Sequence, residues 1–243
     1  MLSKRIIACL DVRNGSVVKG INFKGLRNAG APAVLARRYN EEGIDEVVIL
    51  DVTATLEKRK ALADTIREVA QEIFLPLCVG GGIRDEQHAE AAIEAGADKV
   101  SLNTAAIARP ELVTTLARRY GSQAIIVAID AKQVGDRFQI YVRSGQEKTD
   151  RDAIEWAREA CDRGAGEILL TSIDRDGTKI GFDCQLTAAV SEAVSIPVIA
   201  NGDITGPASA RAALAASGAA GTYDDLVGQD QGRRDAQDVA LDA

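Results

Sequence analysis

The stretch IIACLDV (6–12) returns, little changed, as IIVAIDA (125–131). Each copy is a short run of small and β-branched apolar residues that ends on an aspartate, Asp11 in the first and Asp130 in the second. The runs do not alternate apolar with polar. They read as strands buried on both faces, the kind found in parallel sheets. Two further matches keep an offset of about 120 residues as well: GIDEVVILD (43–51) with GAGEILLTS (164–172), and LPLCVGGGI (75–83) with IPVIANGDI (196–204). Strand-like runs DKVSLN (98–103), EILLTSI (167–173) and IPVIAN (196–201) have the same character.

Longer amphipathic segments separate these runs, such as KRKALADTIREVAQEI (58–73) and RDAIEWAREACDRGA (151–165), and several stop at glycine. Repeated βα units give a parallel sheet, either layered between helices or closed. Seven clear strands, room for an eighth and a chain that repeats itself in halves favour closure. The expected fold is α/β, a (βα)8 barrel of the TIM type. Such barrels run to about 250 residues, and this chain has 243. The half-barrels are expected at about 1–120 and 121–228, within one domain spanning 1–228. The insertion VGDRFQIYVRSGQEK (134–148) alternates and reads as a hairpin over the barrel mouth.

The fourth match fails. GADKVSLNTAA (96–106) should pair with GAAGTYDDLVG (218–228), but GTYDD replaces the apolar run. Adjacent aspartates are costly in a strand buried on both faces, so strand eight is expected to be weak or displaced. Residues 229–243 carry no apolar face and read as a loose tail.

Composition narrows the function. A net charge of −7 argues against general nucleic-acid binding, which needs a basic face. The single histidine, His88, argues against His-ligated metal sites and Ser-His-Asp catalysis. Cys9, Cys78, Cys161 and Cys184 lack metal or redox spacing and read as reduced thiols, hence a cytoplasmic setting. The opening MLSKRIIACLDV has too short an apolar run for a membrane span or signal peptide. No cofactor, metal or membrane is expected.

Catalytic groups of such barrels sit at the C-terminal strand ends. Asp11 and Asp130 end strands half a barrel apart, which suits acid/base work on a substrate held between them. Strand-end aspartates can also merely cap a loop. Gly80, Gly81 and Gly82 offer backbone N–H groups ahead of a helix, an anion cradle or simply a tight turn. Asn103 and Thr104 add donors at the next strand end, and DRDGTKIG (174–181) places Gly177 and Gly181 in a loop on the other side. Two cradles would hold a substrate with a phosphate at each end. Arg5, Glu46, Lys99 and Glu167 begin strands one, two, four and six. They form either a charged ring at the barrel bottom or an ordinary solvated rim.

The segments RIIACLDVRNGSVVKG, LCVGGGIRD, ADKVSLNTAA, GSQAIIVAIDAK and GAGEILLTSIDRDGTKIGFD resemble the cyclase subunit of imidazole glycerol phosphate synthase, from histidine biosynthesis. The resemblance runs from residue 1 to about residue 198. It implies a (βα)8 barrel that uses ammonia on a bisphosphorylated ribulosyl-formimino-aminoimidazole carboxamide ribonucleotide. The products implied are imidazole glycerol phosphate and aminoimidazole carboxamide ribonucleotide. It assigns Asp11 and Asp130 as the acid/base pair, and places Lys19, Asp51, Asn103, Ser144 and Thr171 around the substrate. Gly82, Asn103 and Thr104 fall at one phosphate site, and Asp176, Gly177 and Gly202 at the other. Arg5, Glu46, Lys99 and Glu167 match a gate for ammonia from a glutaminase partner, docked on the N-terminal face in a heterodimer.

Beyond that point the pattern changes. Asp203 stands where the family carries a second glycine, and PVIANGDITGPASARAALAASGAAG (197–221) looks like the flavin-phosphate region of dihydrouridine synthases. Three readings follow: the cyclase, impaired or not at its C-terminal side; a non-catalytic barrel that still binds phosphates or the glutaminase; and an FMN-binding, dihydrouridine synthase-like protein.

Overall fold

The computed structural model describes residues 4–21, 24–52, 59–202 and 221–224. The first half runs β1 (Arg5–Arg13), β2 (Ser16–Ile21), β3 (Lys24–Gly30), α1 (Pro32–Glu41), β4 (Glu46–Asp51), α2 (Arg59–Glu72), β5 (Leu77–Gly80), α3 (Glu86–Glu94), β6 (Lys99–Leu102), α4 (Thr104–Ala108) and α5 (Glu111–Tyr120). The second runs β7 (Ile125–Val134), β8 (Arg137–Val142), β9 (Glu147–Asp152), α6 (Ala153–Asp162), β10 (Glu167–Ser172), α7 (Cys184–Ala193), β11 (Val198–Asn201) and β12 (Gly221–Asp224).

Parallel pairing joins β1, β4, β5, β6, β7, β10, β11 and β12 in that order, and β12 returns to β1. The sheet is therefore a closed eight-stranded barrel, as the repeat requires. β12 is short, four residues, and it is not displaced: Gly221–Tyr223 pair with Ile199–Asn201 on one side, and Gly221–Asp224 with Arg5–Ala8 on the other. Closure leaves no sheet edge, so even a poor strand gains hydrogen bonds on both sides. The segment 203–220 and the tail 225–243 lie outside the described residues. So do Asp203 and the loose-tail expectation.

Strand side chains alternate with a period of two, and this sorts the core into two parts. Ile7, Cys9, Val48, Cys78, Ile126, Leu169 and Ile199 fill the barrel, with Leu50 and Ala128 against them. The alternate positions, among them Ala8, Leu10, Val47, Ile49 and Ile168, face outward under helix residues such as Ile66, Leu116 and Trp156. Continuing the inward parity by one step places Arg5, Glu46, Lys99 and Glu167 at the bottom. Continuing it upward places Asp11, Asp130, Thr171 and Asn201 at the mouth.

The expected hairpin is β8–β9, reaching further than 134–148, to Asp152. A second hairpin, β2–β3, stands at the matching place in the first half and was not anticipated. The turn that leads into it from β1 is present in the sequence. β1 and β2 are joined by Asn14-Gly15, both at positive φ, with Arg13 paired to Ser16. Asn-Gly between strand-forming runs is the preferred two-residue hairpin turn.

Candidate active site

The C-terminal strand ends open into a cavity of ≈ 1010 Å3. Of the expected site residues, Asp11, Asp51, Gly82, Asn103, Thr104, Asp130, Ser144, Thr171 and Asp176 all line it. Gly177 lies beside Asp176 in the loop after β10, and Gly202 follows β11, where a Cβ would lie 3.3 Å from the Phe182 ring. Lys19 is on β2, paired with Arg27 of β3, and its side chain lies outside the described residues.

Asp130 ends the inward-facing part of β7, in register with Thr171 of β10, which is in register with Asn201 of β11. Asn103 Nδ2 donates to Asp130 Oδ2 at 2.9 Å from the other side, and Asn201 Nδ2 donates to Thr171 Oγ1 at 2.9 Å. Burial pushes the Asp130 carboxyl up to about 6, against the opposing pull of hydrogen bonds from Asn103 and Thr171. Asn103 Oδ1 is buried without a partner. A buried carbonyl oxygen in that state is ready to accept from a bound molecule.

Across the mouth, Asp11 sits on β1, four strands from β7 around the barrel. Both aspartates line one cavity from opposite walls. Beside Asp11, the turn after β5 passes through Gly81 and Gly82 at φ 80° and 73°. A Cβ on Gly81 would lie 2.1 Å from the Asp51 carbonyl oxygen, whereas one on Gly82 would meet nothing within 4 Å. Gly81 thus lets two strand ends touch. Gly82 leaves open space with its backbone facing the cavity.

The β8–β9 turn comes down on the next strand end, where the Arg143 N–H donates to Thr104 Oγ1 at 3.1 Å. Arg143 and Ser144 are left-handed there, at φ 53° and 56°, which turns Ser144 into the cavity wall. The β10 loop is fastened by the Asp176 N–H on the Ser172 carbonyl at 2.9 Å, and by the Gln133 N–H on Asp174 Oδ2 at 2.9 Å.

At the opposite end, the four strand-start charges form a ring rather than a solvated rim. Arg5 contacts Glu46 at 2.9 Å and Glu167 at 2.7 Å, and Lys99 contacts Glu46 at 2.9 Å and Glu167 at 3.1 Å. Glu46 is 1% exposed, and burial raises its carboxyl despite Lys99 and Arg5. Just above the ring, burial and then Glu46 push the Cys78 thiol well up. Among the described residues, no group of three or more potential metal ligands is found.

The residue-level reading missed Asn201. Its signal was the third repeat match, in which Asn201 stands where the first half has Gly80. A polar amide at an inward strand end is a marked departure from a glycine.

A family described as "Histidine biosynthesis protein" matches residues 5–229. The chain belongs to that family. The match continues through 197–221, past the point where the sequence resemblance turned toward flavin barrels. Similar members include the imidazole glycerol phosphate synthase subunit HisF of Myxococcus xanthus, 52% identical over 219 residues, 90% of this chain and 87% of the relative. The HisF subunits of Alkaliphilus metalliredigens and Acidobacterium capsulatum are 53% and 56% identical, covering 83% of this chain and 81% and 80% of theirs. Within this histidine-biosynthesis family, the mouth and the ring are the two polar ends of one apolar-filled barrel.

Proposed function

We propose that this chain is the cyclase of imidazole glycerol phosphate synthase, combining ammonia with the bisphosphorylated ribulosyl-formimino-aminoimidazole carboxamide ribonucleotide. The products are imidazole glycerol phosphate and aminoimidazole carboxamide ribonucleotide. The observation that carries the reading is the pair of duplicated carboxylates, Asp11 and Asp130, on opposite walls of one large cavity. An Asp130 carboxyl poised near 6 can exchange a proton at neutral pH. The Gly82 turn with Asn103 and Thr104 holds one phosphate. Asp176, Gly177 and Gly202 surround the other, and Lys19, Asp51, Ser144 and Thr171 surround the middle of the substrate.

Ammonia enters through the ring of Arg5, Glu46, Lys99 and Glu167, delivered by a glutaminase subunit docked on the N-terminal face. Phe74 supports that docking surface. It precedes β5 at the ring end, is 98% exposed, and its N–H is pinned by Asn40 Oδ1 at 3.1 Å. An aromatic side chain held out at that end is available to pack against a docked subunit. None of the four cysteines is in a disulfide, in keeping with a cytoplasmic setting.

The test is a steady-state assay of purified chain with ammonium salt and the authentic substrate. Turnover with ammonium and none with glutamine is expected, because the chain has no cysteine–histidine pair for glutamine hydrolysis. Substrate binding without turnover would favour the non-catalytic barrel instead.

A further inference from the structure

The two aspartates of the mouth stand in duplicated backbone but in different side-chain company. Overlaying the repeats places Leu50 on Thr171 and Gly80 on Asn201. On the Asp11 side, then, the two neighbouring strands offer no side-chain donor at these positions. A larger residue would be crowded there, since a Cβ on Gly80 would lie 2.6 Å from Leu50 Cδ2 and 3.0 Å from Ser101 Cβ. On the Asp130 side the same rung carries a hydroxyl and then an amide, in register on adjacent strands.

A threonine hydroxyl has one proton to give and lone pairs to receive. Thr171 Oγ1 receives the Asn201 amide at 2.9 Å. Its own proton must point elsewhere, and Asp130, in register with Thr171 on the adjacent strand, is the neighbouring carboxylate. The geometry points to Asn201 as a positioning residue for Asp130: its amide fixes the Thr171 hydroxyl as a donor to the Asp130 carboxylate. The inference rests on the acid/base reading of Asp130 given above.

The chain of contacts Asn201–Thr171–Asp130–Asn103 spans four consecutive barrel strands or strand ends, β11, β10, β7 and β6. It holds Asp130 between two committed donors, and so offsets part of what burial costs its ionised form. Asp130 and Asp11 thereby differ in environment although the repeat made them equivalent. Differing environments are how two like carboxyls come to take different roles. Among the described residues, the other charged groups facing the cavity are Asp11 and Asp51 opposite, Asp176 on the β10 loop, Arg143 on the β8–β9 turn, and Arg84, Asp85 and Arg109 at the rim. None of them is altered by a change at Asn201.

The experiment is a carboxyl titration by NMR of chain labelled with 13C-aspartate, with the Asp130 signal assigned by its loss in Asp130→Asn. Parent, Asn201→Leu, Asn201→Ala, Thr171→Val and the double variant Asn201→Leu/Thr171→Val are compared. Losing a committed donor raises the Asp130 titration by about half to one pH unit in each Asn201 variant. The double variant should titrate with Thr171→Val alone, because the amide acts only through the hydroxyl. In the ammonium-dependent assay, kcat of Asn201→Leu should fall roughly three- to tenfold with KM within about twofold, and the limb of the pH profile set by Asp130 should move up with the titration. An unmoved Asp130 titration in both Asn201 variants, or shifts that add in the double variant, overturns the inference. A moved titration with unchanged kcat keeps the hydrogen-bond chain and removes Asp130 from the acid/base step. Absence of turnover in the parent defeats the proposed function, while the titration still decides the role of Asn201.

Discussion

Replacing Asp130 by asparagine should abolish most turnover and yet relieve a cost that the native chain carries. Folding moves this carboxyl from an ordinary 3.8 to about 6, mainly through burial. At about 1.4 kcal/mol per pH unit, the ionised carboxylate destabilises the fold by up to about 3 kcal/mol where both states are ionised. The residue keeps an edge open to the cavity, so about 1–3 kcal/mol is the working range. The sign follows from proton uptake. Between pH 3.8 and about 6 the folded chain holds more protons on this group than the unfolded chain. The parent therefore loses stability relative to Asp130→Asn as pH rises through that window, and the loss is complete above it. Denaturant unfolding of both proteins at pH 4, 6 and 8 measures the gap. The new amide can add a constant offset, since its NH2 needs acceptors, but it cannot add a slope. The gap should move in the variant's favour by about 1–3 kcal/mol from pH 4 to pH 8. At pH 8, kcat should fall roughly 10²–10⁴-fold. A gap that stays flat across this range would refute the burial argument, and near-parental kcat would refute the catalytic one.

Gly81→Ala should destabilise the fold heavily, since its Cβ would meet the Asp51 carbonyl at 2.1 Å; Gly82→Ala, with open space but φ 73°, should cost only about 1–2 kcal/mol of backbone strain and in addition raise KM by entering the open cradle; thermal melts and steady-state kinetics separate the two. Lys99→Met leaves Glu46, 1% exposed, with Arg5 as its remaining ring cation, and should cost about 2–3 kcal/mol in denaturant titrations at pH 8, less at pH 5 where Glu46 takes up a proton more readily. Phe74→Asp should weaken association with the glutaminase subunit at least about tenfold by calorimetry while leaving ammonium-dependent turnover of the isolated chain unchanged.

The barrel was legible because three of its four repeated units keep buried, non-alternating strands, and such runs have few other uses. Strand eight was not legible as a strand. GTYDD has no apolar run, and its place is set by closure between Asn201 and Arg5 rather than by local pattern. The β2–β3 pair was missed for a different reason: the Asn14-Gly15 turn that leads from β1 into β2 was written in the sequence, but SVVKGI (16–21) and KGLRNAG (24–30) carry no long apolar run. Within the site, Asp11, Asn103, Asp130 and Thr171 could be picked out because each ends a readable strand. Asn201 ends one too, yet its significance lies in a contact with Thr171 on the neighbouring strand, and only register reveals that.

The same duplication explains both ends of the barrel. At the bottom the repeat keeps the two glutamates, Glu46 and Glu167, and two like charges facing inward would repel and lose hydration. Their neutralisation is not duplicated. Arg5 falls on Ala124 in the other half, and Lys99 on Gly221, so both cations come from the first half. Each cation reaches both glutamates, which is why two cations on one side suffice. At the mouth the repeat keeps the two aspartates, and there it is the second half that departs, with Thr171 and Asn201. The first half thus supplies the cations that close the ring, and the second the Thr171–Asn201 pair that, with Asn103 of the first, sets Asp130 apart from its twin. Neither half-barrel alone could do both, because a ring of four needs glutamates from opposite walls, and a substrate between two carboxylates needs walls that differ.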